Sequence, residues 1–284
     1  MAIFSNQATL TYNGTTTNSN IAYGEILDVL SAFKTTVEGS YTPGSLVTYV
    51  VTLRNTGNTT LTNLTVSDDL GGYEVGDATI YPLTYEENFA TLFLDGVLQP
   101  TPTVTAGPPL TVSGINIPGG SDAVLVYQAR ANTFANPAAG GTIVNTATVM
   151  GAGLNAPVTA SATTPAEAAP LLSISKSITP TQVVDNDRVT YTFVIQNFGN
   201  EAVVATDNAA VTDTFDPILT ALTVTLDGTV WSEGAEYTYD EATGLFTTAP
   251  GQIVVPAATY TQDPTTGAYT VIPGIVTLTV TGTI

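Results

Sequence analysis

The chain has 284 residues, 43% of them apolar, which is enough for two ordinary domains each with a packed core. Only 10% are charged, and 24 Asp and Glu against five Lys and Arg give a formal charge of −19, so the basic stripe that nucleic acid or an anionic membrane surface needs is excluded. With no Cys and no His, disulfides, thiolate and imidazole metal sites and Ser-His-Asp chemistry are excluded as well.

The first residues, Met1-Ala2-Ile3-Phe4-Ser5-Asn6, carry no basic leader ahead of a long apolar run, so no signal peptide is expected in this numbering. No apolar run approaches the about eighteen residues of a membrane helix, and no membrane insertion is expected. Asn6, Ala8, Leu10 and Tyr12 alternate with Gln7, Thr9 and Thr11, the period of a half-buried strand. Asn20-Ile-Ala-Tyr23 supplies a second strand, and the first thirty residues read as a hairpin of their own. Beyond it, short Val/Thr/Ile/Tyr runs separated by Gly, Asn, Asp and Pro continue to the end without a helical period, which predicts an all-β fold.

An internal repeat organises the chain. Ser31-Ala-Phe-Lys34 aligns with Ser173-Ile-Ser-Lys176 at a shift of 142 (176 − 34), and the same shift carries Val47-Thr-Tyr49 onto Val189-Thr-Tyr191 and Asn55-Thr-Gly-Asn58 onto Asn197-Phe-Gly-Asn200. Farther on, Val66-Ser-Asp68 aligns with Val211-Thr-Asp213, Leu94-Asp-Gly96 with Leu226-Asp-Gly228, and Ile117-Pro-Gly119 with Ile272-Pro-Gly274. The expected organisation is an N-terminal donor strand or hairpin over 1–28, one sandwich domain over 29–168, an Ala/Pro/Thr-rich linker near its end, and a second domain over 169–284. Copy one continues through Asn145-Thr-Ala-Thr-Val149 and Pro157-Val-Thr-Ala-Ser161, whereas copy two stops after Val276-Thr-Leu-Thr-Val280 and is expected to lack its last strand. Asn6-Gln-Ala-Thr-Leu10 resembles Asn145-Thr-Ala-Thr-Val149 position by position, so the piece missing at the back stands at the front.

The succession of Lys, Val-Thr-Tyr, Asn-x-Gly-Asn, Val-x-Asp and Asn-Thr-Ala-Thr-Val resembles a bacterial surface repeat called domain of unknown function eleven, over both copies and nearly the whole chain. That resemblance implies tandem immunoglobulin-like β-sandwiches in an extracellular protein of a Gram-positive cell or spore surface, nearer to an appendage subunit than to a giant adhesin. It implies a structural protein and not an enzyme.

A sandwich short of a strand leaves backbone donors and acceptors unpaired and its core open. The N-terminal segment is expected to fill it, with Ala8, Leu10 and Tyr12 as anchors, and if successive domains keep a constant geometry the acceptor is another copy. Donor and acceptor surfaces differ, so the contact propagates head to tail into a homopolymer.

The only two lysines occupy equivalent places in the two copies. Strand parity puts Lys176 with Leu172 and Ile174, Asp68 with Val66 and Leu70, Asp213 with Val211 and Phe215, and Asn145 and Asn6 with the alanines that follow them. For Lys34 the parity is ambiguous, because Phe33 and Val37 flank it on the opposite face. Buried Lys, Asp and Asn together resemble the self-forming isopeptide sites of Gram-positive pilins and adhesins. The expectation is an amide between Lys34 and Asn145 assisted by Asp68, and one between subunits joining Lys176 to Asn6 assisted by Asp213; the alternative is a buried Lys–Asp ion pair with an Asn hydrogen bond.

No cofactor is expected. Calcium at Asp185-Asn-Asp187 or Asp68-Asp69 is a minor possibility, without a recognised loop spacing. Asn13, Asn58 and Asn63 head glycosylation triplets of the kind Thr-rich sequence generates freely, and Glu86-Glu87 or Glu233/Glu236 as hydrolytic pairs lack any sign of a cleft. The competing function is a surface adhesin whose loops Tyr73–Asn88 or Trp231–Tyr239 recognise a ligand.

Overall fold

The computed structural model describes residues 2–26 and 28–284; Met1 and Leu27 of the expected N-terminal segment lie outside the described residues. The chain forms two compact units, Met1–Asn136 with Thr142–Pro165, and Pro137–Gly141 with Ala166–Ile284. The boundary thus falls at Pro165/Ala166, three residues before the expected one, and five residues of a copy-one loop belong with the second unit.

At the N-terminus, β1 (Ala2–Asn6) pairs antiparallel with β4 (Ala22–Ile26), and β2 (Thr9–Tyr12) with β3 (Thr15–Asn18). Asn13 and Gly14 both take positive φ, 47° and 77°, the two-residue turn whose twist matches the flanking strands. The pairing shifts by one between the two ladders, from Asn6↔Ala22 to Thr9↔Asn18, which places an extra residue on the returning strand. Every side chain from Ile3 to Tyr23 is exposed. The Phe4 ring lies against the bare Gly24 backbone, where a Cβ would come within 2.2 Å of the ring.

In the first unit the strands are β5 (Leu30–Thr36), β6 (Leu46–Asn55), β7 (Leu61–Asp68), a separate ribbon of β8 (Tyr73–Val75) and β9 (Ala78–Ile80), then β10 (Leu83–Tyr85), β11 (Thr91–Leu94), β12 (Val97–Leu98), β13 (Thr103–Thr105), β14 (Leu110–Ile117), β15 (Asp122–Ala131), β16 (Thr142–Ala152) and β17 (Val158–Pro165). One sheet runs β12-β11-β15-β6-β5 with β10 also on β15, and the other runs β13-β14-β7-β16-β17. Alternate residues point inward, as period-two strands require: Val47, Tyr49, Val51 and Leu53 from β6 face the core that Leu64 and Val66 of β7 and Ile143, Ala147 and Val149 of β16 also fill.

The second unit repeats this plan with β18 (Leu172–Thr179), β19 (Arg188–Asn197), β20 (Thr212–Thr214), β21 (Thr220–Leu226), β22 (Thr229–Trp231), β23 (Tyr237–Asp240), β24 (Leu245–Thr248), β25 (Thr259–Gln262), β26 (Tyr269–Ile272) and β27 (Gly274–Thr283). Its sheets run β18-β19-β27-β21-β22 and β20-β24-β23. The protein is therefore all-β, two immunoglobulin-like sandwiches in tandem, as expected. Threonine supplies the outer face of the second unit, where Thr190 bonds Thr281 and Thr225 bonds Thr279 across neighbouring strands.

Register shows how the copies correspond. Lys34↔Val51 and Lys176↔Phe193 are equivalent pairs, as are Leu110↔Asp68 and Phe246↔Asp213. The order β7-β16-β17 has no continuation in the second unit, where among the described residues β20 is paired on one side alone, by β24. Among the described residues the places of β16 and β17 both have no counterpart in copy two, where the expectation is a lack of the last strand.

The repeat asparagines explain the Asn-x-Gly-Asn motif. Asn55 is buried and its Nδ2 donates to the carbonyls of Thr59, Ile117 and Pro118, while its Oδ1 accepts from Gly57 N–H. Asn197 is buried likewise, donating to Glu201 and Pro256 and accepting from Gly199 and Leu171. A Cβ on Gly199 would sit 2.2 Å from the Ala169 carbonyl, so only glycine fits. The counterpart of Ile117-Pro118 is accordingly Val255-Pro256 and not Ile272-Pro273; β25 and β26 are a hairpin inserted in copy two that displaces the sequence match.

Candidate functional site

Lys34 lies on the inward face of β5 with Leu30, 2% exposed, while Phe33 and Val37 point outward, which resolves the parity. Its Nζ is 2.5 Å from Asp68 Oδ2 at the end of β7, which is 1% exposed. Tyr127 of β15 donates its hydroxyl to the same Asp68 oxygen, and Asn145 of β16, fully buried, donates Nδ2 to the Tyr127 oxygen at 3.4 Å. Tyr49 and Tyr127, stacked across β6 and β15 with centroids 5.4 Å apart, flank the ammonium, which is 4.8 Å from the Tyr49 ring centre. The structure thus brings Lys34, Asp68 and Asn145 into one dry cluster.

Burial pushes the Lys34 amine below its ordinary value, with Asp68 opposing the shift. The Tyr127 hydroxyl is held well above its ordinary value, first by burial and then by the Asp68 charge. Such an amine, beside a carboxylate able to take its proton and a carboxamide able to lose ammonia, is equipped for amide formation; left unreacted, the same groups satisfy one another as an ion pair.

In the second unit Lys176 also pairs with Asp213, and its Nζ lies 4.6 Å from the Tyr191 ring centre, the place Tyr49 holds in copy one. The surroundings differ: the Lys176 side chain is 40% exposed, Leu172 and Ile174 of the same row are exposed, and Val280 stands where copy one has Tyr127. No asparagine occupies the Asn145 place, because that strand is absent. Asn6 is exposed in the N-terminal hairpin, opposite Ala22, just as Asn145 lies opposite Ala162.

No protein-family model matches the chain, and no curated protein matches it in sequence. Among solved structures it is similar to the major pilin BcpA of Bacillus cereus, with 11% identity over 96% of this chain and 73% of that one at a TM-score of 0.36. It is similar to the full-length major pilin SpaD of Corynebacterium diphtheriae, 12% identical over 86% of this chain and 59% of that one, TM-score 0.36. The collagen-binding domain of a Staphylococcus aureus adhesin matches 47% of this chain and 96% of its own length at 10% identity and a TM-score of 0.31.

Of the expected anchors, Ala8, Leu10 and Tyr12 are all exposed in the hairpin, Leu10 at 66%. Matching Asn6 to Asn145 puts Ala8 at Ala147 and Leu10 at Val149, both fully buried in copy one, but puts Tyr12 at Gly151, which is exposed at the strand's end. Phe4 falls at Ile143, which is buried. Tyr49, Tyr127 and Thr164 were likewise not singled out from the sequence, although the repeated Val-Thr-Tyr was the available signal for Tyr49.

The minor expectations find other partners. Asp69 Oδ1 accepts from Gly71 and Thr146 N–H, and Asp187 from Val184 N–H; among the described residues no group of three or more acidic side chains is arranged to hold a metal. Glu86 pairs with Arg130, and Glu236 accepts from Ser232 N–H. Tyr237 lies in the core of its own unit and Trp231 and Tyr239 pack partly against it, while Ser232, Glu233, Gly234 and Ala235 between them are exposed. No helix is long and apolar enough to cross a membrane among the described residues.

Proposed function

We propose that this protein is an extracellular structural subunit that assembles head to tail, the N-terminal hairpin of one copy occupying the two empty strand places beside β20 of the next. The observation that carries this reading is the match between deficit and surplus. Unit two has one edge of β20 unpaired and its β18 row exposed, and the chain carries an exposed two-stranded ribbon whose Phe4, Asn6, Ala8 and Leu10 match Ile143, Asn145, Ala147 and Val149. The strand β1–β2 would take the place of β16 and β3–β4 that of β17, pairing the free backbone of β20 and covering Lys176.

Insertion places Asn6 against Lys176 and Asp213. Lys176 Nζ then bonds to Asn6 Cγ and Nδ2 leaves as ammonia, as Lys34 and Asn145 do within unit one, so that the polymer is covalent without cysteine. Donor and acceptor are different surfaces, so each addition exposes a fresh acceptor and the chain of subunits does not close on itself.

Removing residues 1–20 tests the reading. The shortened chain is expected to sediment as a monomer at concentrations where the full chain forms fibres, and boiled fibres are expected to run as a ladder on denaturing gels that Lys176→Ala abolishes. A shortened chain that still polymerises would defeat the donor-hairpin assignment.

A further inference from the structure

Three buried polar atoms converge without hydrogen-bond partners in unit one: the Tyr49 hydroxyl, the Thr164 hydroxyl and Asn145 Oδ1. The Tyr49 hydroxyl interacts with the side chains of both Thr164 and Asn145, short of full hydrogen-bond geometry to either, and all three residues are fully buried. Two hydroxyl donors thus stand next to a carboxamide oxygen that accepts no formed hydrogen bond.

We infer that Tyr49 is the oxyanion-stabilising residue of the Lys34–Asn145 reaction, and Tyr191 that of the intersubunit reaction; this rests on the amide reading above. Lys34 Nζ passes one proton to Asp68 Oδ2 and bonds to Asn145 Cγ, which turns the carbonyl into a tetrahedral centre with its negative charge on Oδ1. The hydroxyls of Tyr49 and Thr164 then have an anion to donate to, in a fully buried site. As the carbonyl reforms, the attacking nitrogen loses a second proton, the bond to Nδ2 breaks, and Nδ2 departs with that proton as ammonia; nothing is oxidised or reduced.

The two copies separate Tyr49 from its neighbour. Tyr127, which holds Asp68 and Asn145, is Val280 in unit two and cannot be common to both reactions. Tyr191 is retained at the Tyr49 position, with Lys176 4.6 Å from its ring centre.

The test is Tyr49→Phe in the full chain made by cell-free synthesis, with intact and peptide mass read at intervals for ammonia loss at Lys34–Asn145. Phenylalanine keeps the ring and its stacking on Tyr127 and removes only a hydroxyl that makes no fully formed hydrogen bond, so folding stability in a Lys34→Met background should change little. Ammonia loss is expected to slow by about 10²–10³-fold, the effect of removing one oxyanion donor. A Tyr49→Phe chain that loses ammonia at the wild-type rate overturns the inference while leaving the amide intact; a wild-type chain that keeps its full mass overturns both.

Discussion

Lys34 and Lys176 stand at the same register position of the same fold, each facing an aspartate and a tyrosine, yet one is sealed and the other open. Two strands make the difference. Where β16 and β17 are present, the lysine is dry and its amine is pushed down; where they are absent, water reaches the pair and the apolar row beside it. The environment of the lysine in this repeat is thus set by strand complement as much as by residue identity, since burial removes the water that screens an ion pair.

The largest expected effect breaks that comparison directly. In an Asn145→Ala background, where no amide contributes, Asp68→Asn leaves a buried ammonium unpaired and should cost about 3–5 kcal/mol. The equivalent Asp213→Asn in monomer should cost about 0–1 kcal/mol, as for exposed pairs. Two-transition urea unfolding measures both, and equal losses would mean that burial does not distinguish the sites.

Next comes the donor row. If Phe4 and Leu10 take the buried places of Ile143 and Val149, alanine at either should weaken assembly by about 2–5 kcal/mol, or roughly 30- to several-thousand-fold in association constant. Tyr12→Ala, at the place of exposed Gly151, should change it by less than about threefold, near the roughly 0.5 kcal/mol typical of surface substitutions. Sedimentation across a dilution series, in a Lys176→Ala background that keeps assembly reversible, ranks the three. A dominant Tyr12 would mean a different register.

The smallest effect is on pH dependence. Lys34 has a folded pKa below its ordinary 10.5, so in Asn145→Ala the unfolded chain binds more protons between those values and stability should rise with pH across that window. Above the ordinary tyrosine value of 10.0, Tyr49 and Tyr127 keep protons that the unfolded chain loses, and stability should fall again. Urea midpoints between neutral pH and about pH 11 follow both limbs, and Lys34→Met should lose the rising one.

Much of this was legible in the chain itself. Period-two alternation identified the inward faces carrying Asp68, Asn145 and Lys176, and the repeat placed both lysines in equivalent strands. Turn chemistry was equally local: Asp95-Gly96 and Asp227-Gly228 take the same φ pair, 47° and 78°, as the repeat implied. The ambiguity at Lys34 was not local, since apolar Phe33 and Val37 flank it and only cross-sheet packing decides that Lys and not Phe turns inward.

What the sequence determined by itself was the all-β class and the duplication, because these rest on residue spacing along the chain. What the tertiary structure alone decided was which groups meet across sheets. Tyr127 reaches Asp68 over 59 residues of chain, the clustered Tyr49, Thr164 and Asn145 come from three different strands, and the inserted β25–β26 hairpin shifts the correspondence at Pro256. Such contacts are fixed by sheet stacking and register between distant segments, and no periodicity within a segment encodes them.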